Sequence, residues 1–206
     1  RDHAVFDHTA EGAPGLLSIG GGKLAAYRVM AQEATDVVCR KLSVTVPCRT
    51  HTSPLPGGEA TPAPEAVAED AGIDRYAAAR MVHRHGNRAR QIVERIKRNP
   101  RERRTLCACE PVTEAEARFC IETEWVHTLE DLRRRTNCGD GPCQGARCAR
   151  QAAWLLAGYQ GGDAALAEAL LARFVTARWR EQAPVVQHRN LPQMELARWA
   201  LRRSDQ

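Results

Sequence analysis

Residues 107–148 read CACEPVTEAEARFCIETEWVHTLEDLRRRTNCGDGPCQGARC, and two cysteine pairs bound this stretch. Cys107 and Cys109 form a C-x-C pair at its start, and Cys143 and Cys148 form a C-x4-C pair at its end. The residues between the pairs are numerous enough for two short helices, which would bring the pairs together. The spacing therefore predicts one site made of four thiolates.

Capping signals support the two helices between the pairs. Thr113 followed by Glu116 makes a capping box that opens the first helix. Thr128 followed by Asp131 makes a weaker version that opens the second helix. The four-thiolate site is thus predicted to lie on loops at the ends of helices.

The residues favour iron and sulfide over zinc in such a site. A 2Fe–2S cluster takes four thiolates, two for each iron, and is stabilised by backbone N–H groups that reach sulfur. Glycines permit that close approach of the backbone, and three surround the second pair: Gly139, Gly141 and Gly145. Zinc also accepts four cysteines, but usually from C-x2–4-C pairs rather than C-x-C. Zinc and unliganded thiols stay open as alternatives at this point.

The remaining cysteines have different expected roles. The chain has eight cysteines and no export signal, so free thiols are expected rather than disulfides. Cys138 is close enough to Cys143 in sequence to be a rival ligand, whereas Cys120 is predicted to be an inert thiol inside a helix. Cys39 and Cys48 are scattered.

Composition indicates a globular protein. The 206 residues are 43% hydrophobic and 27% charged, which excludes wholesale disorder. No apolar stretch reaches the roughly 20 residues that a membrane-spanning helix needs. The net charge of +5 comes from arginines interspersed with acidic residues, a pattern typical of a solvated surface. No nucleic-acid partner is therefore expected.

The chain is predicted to be mainly α, after a short β and glycine-turn segment. Extended segments and the turn at Gly20–Gly22 lead into a helix from Lys23 to about Leu42, and a last helix is expected after Pro192. The predicted parts are residues 1–46, a Pro/Gly-rich linker at 47–64, a first helical part at 65–106, the cysteine module at 107–158 and C-terminal helices at 159–206.

The cysteine module resembles the 2Fe–2S domain of the bacterioferritin-associated ferredoxin (BFD) type. Its neighbouring residues 133–136 (RRRT) and 141–145 (GPCQG) are similar to FAD-dependent glycerol-3-phosphate dehydrogenases of the anaerobic, large-subunit type. The resemblance implies that the metal ligands are Cys107, Cys109, Cys143 and Cys148. The sequence departs from the family at Asn137 and Cys138, where other residues are more common.

A second stretch, residues 21–28 (GGKLAAYR), resembles the GGKLTTYR segment near the end of the flavin domain in the same family. The resemblance implies that four residues bind FAD: Gly21, Gly22, Lys23 and Leu24. It also implies that Lys23 and Arg1 bind the substrate, with Arg1 holding its phosphate. Alanines 25 and 26 replace two threonines, which makes the flavin contact depend on backbone N–H groups.

The resemblance covers nearly the whole chain and implies what it does. The chain would be the C-terminal part of an enzyme that oxidises sn-glycerol 3-phosphate to dihydroxyacetone phosphate, with residues 1–46 ending its FAD-binding domain. The chain contains no G-x-G-x-x-G motif, so it is not expected to hold FAD tightly without the N-terminal part. No catalytic acid, base or nucleophile is assigned.

The implied partners are the rest of the flavin domain, a small phosphorylated polyol, and an electron-accepting subunit or quinone-linked partner. The implied location is the cytoplasm, where a partner subunit would hold the enzyme at the inner face of the cell membrane. Two different interpretations stay open. One is a helical interaction module, without catalysis, whose cysteines bind zinc or sense redox state. The other is a structural helical domain with incidental thiols.

Overall fold

The computed structural model describes residues 2–186, 188 and 190–202. In this part of the chain α-helices dominate, and the strands form two two-stranded sheets. The prediction of a mainly helical protein is confirmed. The chain divides into two compact units between Leu55 and Pro56, a boundary within the predicted linker at 47–64. No helix among the described residues combines the length and apolarity needed to span a membrane.

The first unit contains a β-hairpin and one helix. Strands β1 (His3–Asp7) and β2 (Leu17–Gly21) pair antiparallel, and helix α1 (Tyr27–Lys41) follows a single 3-10 turn. No described residue of this unit is buried. A hairpin and a helix supply too little chain to enclose a core of their own.

The second unit contains eight helices in its described residues and a small hairpin. The helices are α2 (Pro64–Ala71), α3 (Arg75–His85), α4 (Ala89–Arg98), α5 (Glu114–Thr123), α6 (Leu129–Thr136), α7 (Ala149–Tyr159), α8 (Ala164–Gln182) and α9 (Asn190–Arg202). Strands β3 (Thr105–Cys107) and β4 (Val112–Thr113) form the hairpin before α5. The last helix begins before Pro192 rather than after it, because proline is tolerated in the first turn of a helix.

One hydrophobic core runs from α2 to α8 and supports the cysteine loops. Leu132 of α6 and Leu156 of α7 are fully buried in it. Ala149, Ala152 and Ala153 line the buried face of α7, and their small side chains let neighbouring helices approach closely. The ends of α6 and α7 are thereby held near each other, and these are the ends that carry cysteines.

The two capping boxes differ from the sequence prediction. Thr128 and Asp131 form the complete, reciprocal box at the start of α6. Thr113 accepts from the N–H of Glu116, but the Glu116 carboxylate binds Arg84 and His85 instead of returning to the cap. The box predicted to be the stronger one is therefore only half formed, because a buried ion pair uses its acid.

Candidate metal centre

Three buried cysteine sulfur atoms form a compact inner group. The Sγ atoms of Cys107, Cys138 and Cys148 lie within 4.8 Å of one another. Cys107 is the last residue of β3. Cys138 follows Asn137, whose left-handed backbone conformation ends α6. Cys148 is the N-cap residue of α7. Three elements distant in sequence thus deliver their thiols to one point.

Cys109 and Cys143 form a second pair, the outer pair, in which both residues are partly exposed. The Cys109 and Cys143 side chains contact each other, and the backbone N–H of Cys143 donates to the Cys109 sulfur. The structure therefore brings Cys107 together with Cys148, and Cys109 together with Cys143. Only one residue separates Cys107 from Cys109, so the inner group and the outer pair adjoin.

Backbone N–H groups point at the sulfur atoms of both groups. Cys107 accepts from the N–H groups of Glu110 and Gly139. Cys143 accepts from the N–H of Gly145. Such N–H···S hydrogen bonds disperse negative charge on thiolate ligands, which an iron–sulfur cluster requires.

The three crowded thiols of the inner group shift one another's pKa values in opposite directions. Hydrogen bonds from Cys138 and Cys148 hold the pKa of Cys107 far below its ordinary value. Hydrogen bonding to Cys107 raises the pKa of Cys148 to about 12 and that of Cys138 well above its ordinary value. Metal binding would displace the proton of each thiol that becomes a ligand.

Close packing requires glycines in the loop. A methyl group on Gly141 would clash with the Cβ atom of Cys109. Gly145 has φ +88°, and a Cβ there would lie 2.8 Å from the ring of Phe174 on α8. The loop thus passes between the first cysteine pair and α8 with no room for side chains at these positions.

Replacing Gly141 with alanine is expected to push Cys109 out of place. We expect the overpacking to lower the free energy of unfolding by about 1–3 kcal/mol, and we expect the variant to bind less metal. Gly158, inside α7, is the matched control because a Cβ there meets nothing within 4 Å. Gly158→Ala is expected to stabilise the chain by up to about 1 kcal/mol. Urea unfolding and metal analysis of both variants test this, and equal behaviour of the two would refute it.

A second group of potential ligands, His85, Cys120 and Glu124, lies within the same unit. Its atoms already have partners: His85 Nε2 is 2.9 Å from Glu116, and Glu124 lies 2.6 Å from Arg88. Burial raises the pKa of Cys120 far above its ordinary value, as expected of an inert thiol. We interpret this group as structural. His85 lies on a helix rich in charged residues, where a histidine is usually solvated, but it is buried.

The glycine segment of the first unit is an open turn. Gly21 and Gly22 have φ +79° and +81°, and a Cβ at Gly21 would meet the backbone oxygen of Asp2. Lys23 and Leu24 are exposed, and Leu24 is 90% so. The four residues line part of a cleft of about 460 Å³. The remaining predicted site residue, position 1 (arginine), lies outside the described residues.

The family described as the C-terminal domain of alpha-glycerophosphate oxidase matches residues 48–173, a range that includes every cysteine of the inner group and the outer pair. No solved structure matches the chain.

Several curated relatives are named as subunits of anaerobic glycerol-3-phosphate dehydrogenase. The protein of Escherichia coli K12 is 36% identical over 200 residues, which cover 97% of this chain and 36% of the relative. That of Haemophilus influenzae is 35% identical over 202 residues, covering 97% and 35%. That of Haloferax volcanii is 36% identical over 154 residues, covering 74% and 25%. The chain thus spans about a third of the length of the first of these relatives, and it belongs to the family of C-terminal domains of alpha-glycerophosphate oxidase.

Proposed function

We propose that this chain is the C-terminal part of an FAD-dependent glycerol-3-phosphate dehydrogenase that carries a 2Fe–2S cluster. The whole enzyme would oxidise sn-glycerol 3-phosphate to dihydroxyacetone phosphate. The observation that carries the proposal is the convergence of two cysteine pairs in a chain related to subunits of anaerobic glycerol-3-phosphate dehydrogenase.

The cysteine module at 107–158 suits a cluster of the BFD type. Cys109 and Cys143 would hold the outer iron, and Cys107 and Cys148 the inner one. Cys148 is at the N-terminal end of α7, where the helix dipole stabilises negative charge. When bound, a 2Fe–2S cluster accepts and releases one electron at a time. The chain's own contribution is to fix the thiolates and supply N–H donors.

The first unit would complete the flavin site of the whole enzyme. Gly21 and Gly22 keep the backbone open toward the flavin, Lys23 presents a positive charge to flavin and substrate, and Leu24 offers an apolar contact. Arg1 would bind the substrate phosphate. The flavin supplies the hydride chemistry. In this arrangement residues 1–46 end the FAD-binding domain and 47–64 link it to the helical parts at 65–106 and 159–206 that flank the module.

The outer pair is the side on which an electron acceptor would dock. Cys109 and Cys143 are partly exposed while the inner group is buried. A cleft of about 440 Å³, lined in part by Arg178 and Trp179 of α8, opens beside Cys143. A docked subunit or quinone-linked partner would therefore approach the outer iron more closely than the inner one. Through such a partner the cytoplasmic enzyme would work at the inner face of the membrane.

Metal analysis after anaerobic purification of the 206-residue chain tests the proposal. We expect about two iron atoms and two acid-labile sulfides per chain, and an EPR signal after reduction, because four thiolates bind this cluster type. Absence of iron from both the purified chain and a chain reconstituted with iron and sulfide would contradict it.

A zinc or redox-sensing interaction module is the second candidate. The three mutually close thiols of the inner group, with one more thiolate, would also suit a structural zinc site. One zinc per chain and no sulfide would favour this candidate. Reversible loss of free thiols under mild oxidation, without any metal, would favour redox sensing.

A further inference from the structure

We propose that Cys138 is an interchangeable ligand of the inner iron, able to complete its coordination when Cys148 does not. The inference rests on the proposed cluster and extends it to a fifth thiol. Neither the C-x-C pair nor the C-x4-C pair includes Cys138.

Counting the thiols leads to this proposal. A 2Fe–2S cluster takes two thiolates on each iron, and the outer pair, Cys109 and Cys143, satisfies one iron. The inner group offers three thiols for the two remaining positions. One of the three is therefore surplus in any single arrangement.

The geometry does not exclude Cys138 from the inner iron. Two thiolates on a tetrahedral metal are about 3.8 Å apart when the bonds are about 2.3 Å long. All three sulfur atoms of the inner group are already within 4.8 Å of one another. Cys138 is therefore adjacent to Cys107, the sulfur that it would join on iron, just as Cys148 is.

Hydrogen bonds and burial fix the position of Cys138. Its backbone N–H donates to Thr136 Oγ1 at 3.1 Å, and the Thr136 hydroxyl donates to the carbonyl of Leu132 at 2.7 Å. Asn137 makes the left-handed turn that directs the chain from α6 toward the inner group. Cys138 and Thr136 are both buried, so the thiol is fixed beside the iron position.

Iron and sulfide content and EPR spectra of three variants test the inference on the 206-residue chain. Cys138→Ala and Cys148→Ala are each expected to retain most of the iron. The double variant is expected to retain less than about a tenth of the iron. Losing even a residue that only hydrogen-bonds to a metal ligand costs about 10–100-fold in metal affinity. The EPR signal of Cys148→Ala should shift from that of the unmodified chain, because a different sulfur binds iron.

Three results would overturn the inference: loss of iron from Cys148→Ala as complete as from the double variant, loss of iron from Cys138→Ala alone, or retention of iron by the double variant. If Cys148→Ala loses its helical circular dichroism, Cys148→Val, which fills the buried space and has no donor atom, replaces it in the same comparison. An unmodified chain without iron refutes the proposed cluster instead, so the two failures are distinguishable.

Discussion

Replacing Cys143 with alanine is expected to leave less than about a tenth of the iron of the unmodified chain. Losing even a residue that only hydrogen-bonds to a metal ligand costs about 10–100-fold in metal affinity, and Cys143 would be a ligand itself. The outer pair has only Cys109 and Cys143, so no neighbouring thiol can fill the vacated position. Cys143 is partly exposed, and removing its sulfur leaves little cavity. The metal-free variant is therefore expected to fold like the metal-free unmodified chain. Iron analysis and urea unfolding of the metal-free proteins measure the two effects separately.

Cys120→Ala is the matched control for this experiment. Cys120 is fully buried on α5 and undergoes the same chemical change, but it belongs to neither cysteine group. We expect it to lose some stability through the small cavity and to keep its iron. If Cys143→Ala kept its iron, the outer pair would not be a ligand pair, and the assignment of two thiolates to each iron would fail.

Local signals were sufficient to predict the helices around the two cysteine groups. Thr113 and Thr128 mark the starts of α5 and α6 in the sequence, and the structure begins both helices directly after them. Hairpin β3–β4 was not predicted, because strands of three and two residues are too short for a detectable alternation.

The partners of buried charges could not be read from the sequence. Glu116 matches the capping signal, and the sequence does not reveal that Arg84, on a different helix, competes for its carboxylate. Cys138 was placed near Cys143 by its spacing, yet the fold puts it beside Cys107 and Cys148. Both differences arise from contacts between residues far apart in the chain, which local patterns do not encode.

Glu116→Ala is expected to destabilise the second unit by about 3–5 kcal/mol, because it leaves buried charge without a partner. The Glu116 carboxylate is 0% exposed and accepts from Arg84 Nε at 2.6 Å, from Arg84 Nη2 at 3.0 Å and from His85 Nε2 at 2.9 Å. The Arg84 side chain is only 4% exposed, so water cannot replace the lost acceptor. Urea unfolding of metal-free protein measures the change.

Glu65→Ala is the control, since it removes an exposed partner of Arg75 whose ion pair water and salt already screen. We expect it to change stability little. A similar loss in both variants would mean that burial of the Glu116 pair contributes nothing to stability.

Glu116 on α5 also joins the cysteine module to α3, and the hydrophobic core is continuous across the same junction. The second unit should therefore unfold in one transition. Two transitions would instead show that the helical part at 65–106 and the module at 107–158 are stable separately, and then Glu116→Ala should weaken their association more than the stability of either.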